Sequence, residues 1–153
     1  FLQERKETMN SAIVLKLHLF GVAFWLGVVG VEFLLERRRA LSREHGYLVA
    51  RLHERIDLCL EMPAFLLVLV TGLLLLEVEQ LSGVYLLKVL AGLVAVSGNL
   101  LCLWPVMCRK LAADRGDLPR VIHYSNVIDR ISVVAIPAGL FAFACGVWLV
   151  ISR

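Results

Sequence analysis

Hydrophobic positions fill this chain in four long runs, roughly Ser11 to Leu35, Ile56 to Leu76, Val84 to Met107 and Val127 to Ile151. Each has about 20 residues or more, enough for a helix to cross a hydrocarbon layer about 30 Å thick. Lipid offers no water to free peptide groups, so runs of this length predict helices. The expected fold is all-α, a transmembrane four-helix antiparallel bundle forming one domain over residues 11–153. The longest polar connection, Glu36 to Arg55, predicts an extension of helix rather than a separate domain. Residues 1–10 are polar; Met9 could be a natural start, and no function is assigned to the residues before it. The first run ends in Glu36, Arg37, Arg38 and Arg39 rather than at a small-residue cleavage site, so it is expected to remain as a span.

Polar side chains inside the runs predict which faces look inward, because an ionisable group in lipid is costly unless it faces the bundle interior. On the first run His18, Trp25 and Glu32 recur at seven-residue spacing, one stripe of a helix. The second aligns His53, Asp57, Ala64, Val68 and Thr71, with Glu61 at the margin; the third aligns Lys88, Ala91, Ala95, Asn99 and Cys102. On the fourth, His123, Arg130, Val133 and Pro137 are expected to face inward, with Asn126 one turn before Arg130. Small residues at Gly21, Ala23, Gly27 and Gly30, and at Gly92, Ala95 and Gly98, predict close helix approaches.

Composition agrees with a membrane protein. Of 153 residues 59% are hydrophobic, and the mean hydropathy is +0.80, against an apolar share of about 45–50% in soluble domains. Charge adds a direction. Of sixteen Lys and Arg, eleven flank the two connections at one end: Arg37, Arg38, Arg39, Arg43, Arg51, Arg55, Arg109, Lys110, Arg115, Arg120 and Arg130. The positive-inside rule places that end in the cytoplasm and both termini on the non-cytoplasmic side. The basic balance is thus a topology signal, and nucleic-acid binding is not expected, since no basic, aromatic-interleaved surface lies outside the runs.

Depth sorts the polar groups into two clusters. His18, Thr71, Tyr85 and Lys88 lie toward the outer end; Glu32, His53, Asp57, Glu61, His123, Asn126, Asp129 and Arg130 lie toward the basic end. The basic-end cluster admits buried ion pairs among Glu32, Glu61 and Arg130, with His53 and His123 at the wet boundary. It also admits a carboxylate and histidine metal site, since His53, Asp57 and Glu61 follow at successive helical turns, or a proton path or gate. Cys59, Cys102, Cys108 and Cys145 all fall in apolar runs without CxxC spacing, which suits buried free thiols. A softer alternative is Cu(I) held by Cys102, Cys108, Met62 and Met107. His18 is open between a hydrogen-bonded structural histidine and an axial ligand of haem iron. For haem, Gly21 would leave room for a flat macrocycle and Lys88 could pair with a propionate; a second axial ligand would be Lys88, water or His18 of a neighbouring subunit.

The run "LKLHLFGVAFWLG" resembles the first span of the HemJ and CopD group of small bacterial membrane proteins, where a His followed seven residues later by Trp and then Gly opens a four-helix unit. "RIDLCLEMPAFLLVLVTGLLL", with Pro63 and the Thr71-Gly72 pair, is similar to the second span, and "GVYLLKVLAGLVAVSGNLLCLWPVMCRKLA", with Lys88 near its start, to the third. The likeness covers most of Leu15 to Val150. It implies a multi-pass protein of the bacterial inner membrane. HemJ proteins are haem-b-binding protoporphyrinogen oxidases; CopD domains serve copper uptake or resistance; an uncharacterised integral-membrane family shares the four-span plan. After Gly27 the run "VVGVEFLLE" departs from HemJ, and "CLWPV" and Pro137 look closer to the uncharacterised relatives.

The resemblance therefore implies a haem-b redox or porphyrin-handling membrane protein. His18 would ligate iron, Lys88 would meet an acidic group of the tetrapyrrole, and Trp25 would pack on the ring. An oxidase of this kind would draw its substrate from the bilayer and pass electrons to a quinone or redox partner, the chain having no dinucleotide fingerprint or P-loop. A homo-oligomer is expected. Copper transport and a cofactor-free membrane scaffold are the other classes open to this sequence.

Overall fold

The computed structural model describes residues 2–152, with side chains from residue 10 onward apart from residue 80. The side chains of the polar opening run, residues 1–9, lie outside the described residues. The chain is all-α: α1 (Leu2–Glu36), α2 (Arg43–Ile56), α3 (Met62–Leu74), α4 (Gly83–Asp114) and α5 (Leu118–Ile151), with no strand among the described residues. The segments Asn10–Glu36, Arg43–Leu74, Gly83–Asp114 and Leu118–Ile151 are each long and apolar enough to cross a membrane. Four passes are thus made by five helices, because α2 and α3 are joined by a single wide π-helical turn, Asp57–Glu61.

That turn has a local cause. Pro63 has no N–H, and its ring crowds the carbonyl four residues back, so the ladder cannot continue in α geometry past Cys59. The helix widens instead, and the Met62 N–H reaches the Asp57 carbonyl five residues back. Both Ala64 and Phe65 beyond the turn are buried. The polar connection Glu36 to Arg55 is largely helix, as its pattern predicts. Ser42 caps α2 by accepting from the His45 N–H at 3.2 Å, and α2 then runs into the second pass. Its small residue Ala50 packs with Ala112, Ala113 and Val121, under Tyr47, into a core at the basic end.

The passes are organised as two pairs, α1 against α3 and α4 against α5, with α2 laid on the end of α4. Close contact within each pair depends on small residues. A Cβ at Gly98 would sit 2.5 Å from that of Ala135, so α4 and α5 nearly touch backbones there. At Gly21 a Cβ would sit 3.0 Å from a Val68 methyl. Gly27 and Gly30, expected to serve the same purpose, face open space within the chain. The turn between α4 and α5 uses Gly116 at φ 70°, a left-handed position a side chain would strain. Its carbonyl accepts from Tyr47 Oη at 2.6 Å and Arg43 Nη2 at 3.1 Å, which ties the turn to α2.

Interior stripes match the sequence on three passes. His18 is half-buried, and Trp25, Glu32, His53, Asp57, Ala64, Thr71 and Ala95 are buried or nearly so. The fourth pass is a correction. His123, Asn126, Arg130, Val133 and Pro137 are exposed, while Val121, Ser125, Ile128, Ala135 and Gly139 form the inward face. Pattern reading followed the polar side chains, but at the basic end of α5 those residues stand at the boundary, where exposure carries no lipid penalty. The true seam is marked by small residues, which permit the close approach to α4.

Candidate functional site

The basic-end cluster is built from α1, α2, the π-helical turn and α4. Glu32 and Glu36 lie one helical turn apart on α1, His53 and Asp57 one turn apart on the second pass, and Arg109 enters from α4. Arg109 is 1% exposed, one of the most deeply buried side chains in the chain. Its guanidinium donates to Glu36 from Nη2 at 2.8 Å and from Nη1 at 3.1 Å, the paired geometry that makes such bonds strong. Nη1 also reaches Ser125 Oγ at 3.4 Å.

His53 Nδ1 lies 2.5 Å from Glu36 Oε1 and 2.6 Å from Arg109 Nη2. Arginine cannot accept, so the two contacts demand opposite states of Nδ1. A proton on Nδ1 is the favoured arrangement, because Glu36 Oε1 then accepts from both the imidazole and the guanidinium and the short Arg109 contact follows from their convergence. This leaves Nε2 turned the other way, 3.2 Å from Asp57 Oδ1 and 3.9 Å from Glu32 Oε2. Glu32 Oε1 and Asp57 Oδ1 are buried and without a hydrogen bond. One ligand atom each from Glu32, His53 and Asp57 falls within 4.8 Å of the others, the one such group among the described residues.

Charge explains why the arrangement is unusual. Glu32, Glu36, Asp57 and Glu61 meet one guanidinium and one imidazole, so acidic groups outnumber basic ones here. Arg39 does not supply the difference. It bonds Glu36 Oε2 at 2.7 Å, but Asp129 holds it from both oxygens, at 3.0 and 2.5 Å. The bond to Asp129 pushes the Arg39 guanidinium further above its ordinary range, which fixes its charge. Glu61 sits beside this group at the end of the π-helical turn, its Oε1 accepting from the Trp25 indole N–H at 3.0 Å.

Of the residues expected at the basic end, Glu32, His53, Asp57 and Glu61 come together. His123 and Arg130 do not; both are exposed. The buried arginine is Arg109, which pattern reading assigned to the flanking charges. Its signal was present: Arg109 lies seven residues after Cys102, on the same stripe of α4. Glu36, also read as a flanking charge, extends the stripe of His18, Trp25 and Glu32 by one turn.

Toward the other end, His18 Nδ1 lies 3.0 Å from Thr71 Oγ1. The Thr71 hydroxyl spends its proton on the Leu67 carbonyl at 2.5 Å, so His18 is the donor and its Nε2 carries the lone pair. The imidazole rests on Gly72, where a Cβ would be 3.2 Å from Cε1. Thr71→Val is expected to lower stability by about 1 kcal/mol, the share of one hydrogen bond, with Thr71→Ser near wild type. Thermal unfolding in detergent measures both.

The macrocycle expected here has little room inside a single chain. The space beside Gly21 is filled by Val68 and Leu67, and the indole of Trp25 lies against Gly139 and in a cluster with Ala64 and Phe65. Neither is open to a porphyrin within the bundle. Lys88 Nζ stands 5.8 Å from the centre of the Tyr85 ring, with its stem near Gly146. Among the soft-ligand candidates, Met62 packs against the Trp25 cluster, Cys102 and Cys108 are half-buried, and Met107 is exposed.

Comparison with protein-family models, with curated proteins and with solved structures gives no match. The likeness to HemJ and CopD proteins rests on the residues quoted for it.

Proposed function

We propose that this multi-pass membrane protein binds a divalent first-row transition-metal ion in the basic-end half of its bundle, through Glu32, His53 and Asp57. The observation that carries the reading is two buried carboxylate oxygens without a hydrogen bond, Glu32 Oε1 and Asp57 Oδ1, the latter 3.2 Å from His53 Nε2. Ligands held about 2.0–2.2 Å from one ion stand about 3.0–3.6 Å from each other. From His53 Nε2, Asp57 Oδ1 at 3.2 Å falls within that range and Glu32 Oε2 at 3.9 Å stands just beyond it. A divalent ion would also offset part of the negative charge that these carboxylates bring together. Glu36 on Nδ1 completes the arrangement common to metal-bound histidines, in which a carboxylate fixes the tautomer from behind.

A bacterial inner membrane, with the basic end in the cytoplasm, is part of this reading and is supported by the eleven basic residues at that end. The site then faces the reducing, metal-buffered compartment.

The test is metal analysis together with an absorption spectrum on the same purified protein. The expected result is one bound metal per chain, lost in His53→Ala, weakened by about 10–100-fold in Glu36→Gln and unaffected in His18→Ala. Metal-free protein with b-type haem bands that vanish in His18→Ala would sink the proposal in favour of haem, seated on the outer surface of α1 or between chains.

A further inference from the structure

Three protein ligands leave a transition-metal ion an open position, and Glu61, at the other end of the same wide turn as Asp57, has its Oε1 on a neutral donor, the Trp25 indole. It closes the π-helical turn that Asp57 opens, so both carboxylates are carried on one unit of backbone. Such wide turns concentrate at functional sites because they re-aim side chains that an α-helix would separate. Glu61 is restrained by the bond from the Trp25 indole to Oε1 at 3.0 Å. The target is marked by burial: Glu32, 8% exposed, carries an oxygen without a hydrogen bond, and Asp57, 3% exposed, carries another 3.2 Å from His53 Nε2.

We propose that Glu61 is an exchangeable fourth ligand that leaves Trp25 when the ion enters, and that the resulting set of three carboxylates and one imidazole selects Zn2+, Mn2+ or Fe2+ over Cu+. The inference rests on the metal reading above. Oxygen-rich ligand sets suit harder divalent ions, whereas Cu+ favours thiolates and thioethers. An indole N–H bonded to a carboxylate is a neutral–ionic pair; exchanging it for a divalent cation replaces the weaker partner of Glu61 with the stronger. The exchange also gives the site a reporter. Of the three tryptophans, Trp104 and Trp148 are 73% and 63% exposed on the lipid side, and only Trp25 touches the cluster.

The experiment uses the full chain with Trp104→Phe and Trp148→Phe, so that emission reports Trp25 alone, titrated with chelator-buffered Zn2+, which does not quench paramagnetically. The expected result is a change in Trp25 emission that saturates at one equivalent. E61Q keeps an oxygen acceptor for the indole but loses the anionic ligand; it should bind Zn2+ on the order of 10–100-fold more weakly, with the emission change abolished. Zn2+ binding at one equivalent with constant emission, and E61Q affinity within about two-fold of the parent, overturns the role of Glu61 while leaving the three-ligand site intact. Absence of Zn2+ binding in the parent overturns both. Displacement of Zn2+ by equimolar Cu+ under reducing conditions overturns the selectivity.

Discussion

Arg109→Ala is expected to lower the unfolding free energy by about 3–5 kcal/mol, the range seen when one partner of a buried ion pair is removed. The guanidinium is 1% exposed and meets both oxygens of Glu36 from inside the bundle. Its removal leaves Glu36 and its neighbouring carboxylates with a still larger excess of negative charge, away from water. Arg109→Met, which restores packing but not charge, should recover only a minor part of the loss. Adding Glu36→Gln to Arg109→Met removes the orphaned charge and should recover more than either change predicts alone, since the two residues share one network. Thermal unfolding in detergent, compared across the cycle, measures the coupling. A loss below about 1 kcal/mol for Arg109→Ala would show that the guanidinium is solvated and the cluster open.

Gly139→Leu carries the next largest expected effect, about 3 kcal/mol, at the upper end of the range for overpacking a tight contact. Any Cβ at Gly139 would run into the indole of Trp25, and its nearest approach is to ring atoms rather than to a flexible chain end. The indole cannot swing away freely, because its N–H is bonded to Glu61 and its faces are packed by Ala64 and Phe65. Gly27→Leu is the matched control. A Cβ there meets nothing within 4 Å, so its effect should stay within about 0.5 kcal/mol. Equal losses at the two positions would show that the contact between α5 and Trp25 is absent.

The four passes and three of their inward faces were legible because lipid makes the rule strict: a polar residue deep in a span has nowhere else to go. The fourth face was not, because the rule lapses at the boundary. His123, Asn126 and Arg130 lie where water reaches them, and the inward side of α5 is written in Ser125, Ala135 and Gly139, residues too small to stand out from an apolar background. The same boundary effect hid Arg109 and Glu36. Both fall among the charges clustered at the basic end, and a count of basic residues does not separate a buried guanidinium from a solvated one. The wide turn was readable in Pro63, since a missing N–H inside a helix must be absorbed somewhere; which way it would turn Asp57 and Glu61 depended on packing against α1.

The order in which the chain emerges during synthesis meets the distribution of charge in this cluster. Glu32, Glu36, His53, Asp57 and Glu61 all belong to the first two passes, whereas the guanidinium that neutralises Glu36 arrives with the third and the Asp129 that anchors Arg39 with the fourth. A nascent hairpin of the first two passes therefore holds these acidic groups with Arg39 and His53 as their basic partners, before Arg109 is made. Completion of the polar cluster thus waits on residues of the third and fourth passes.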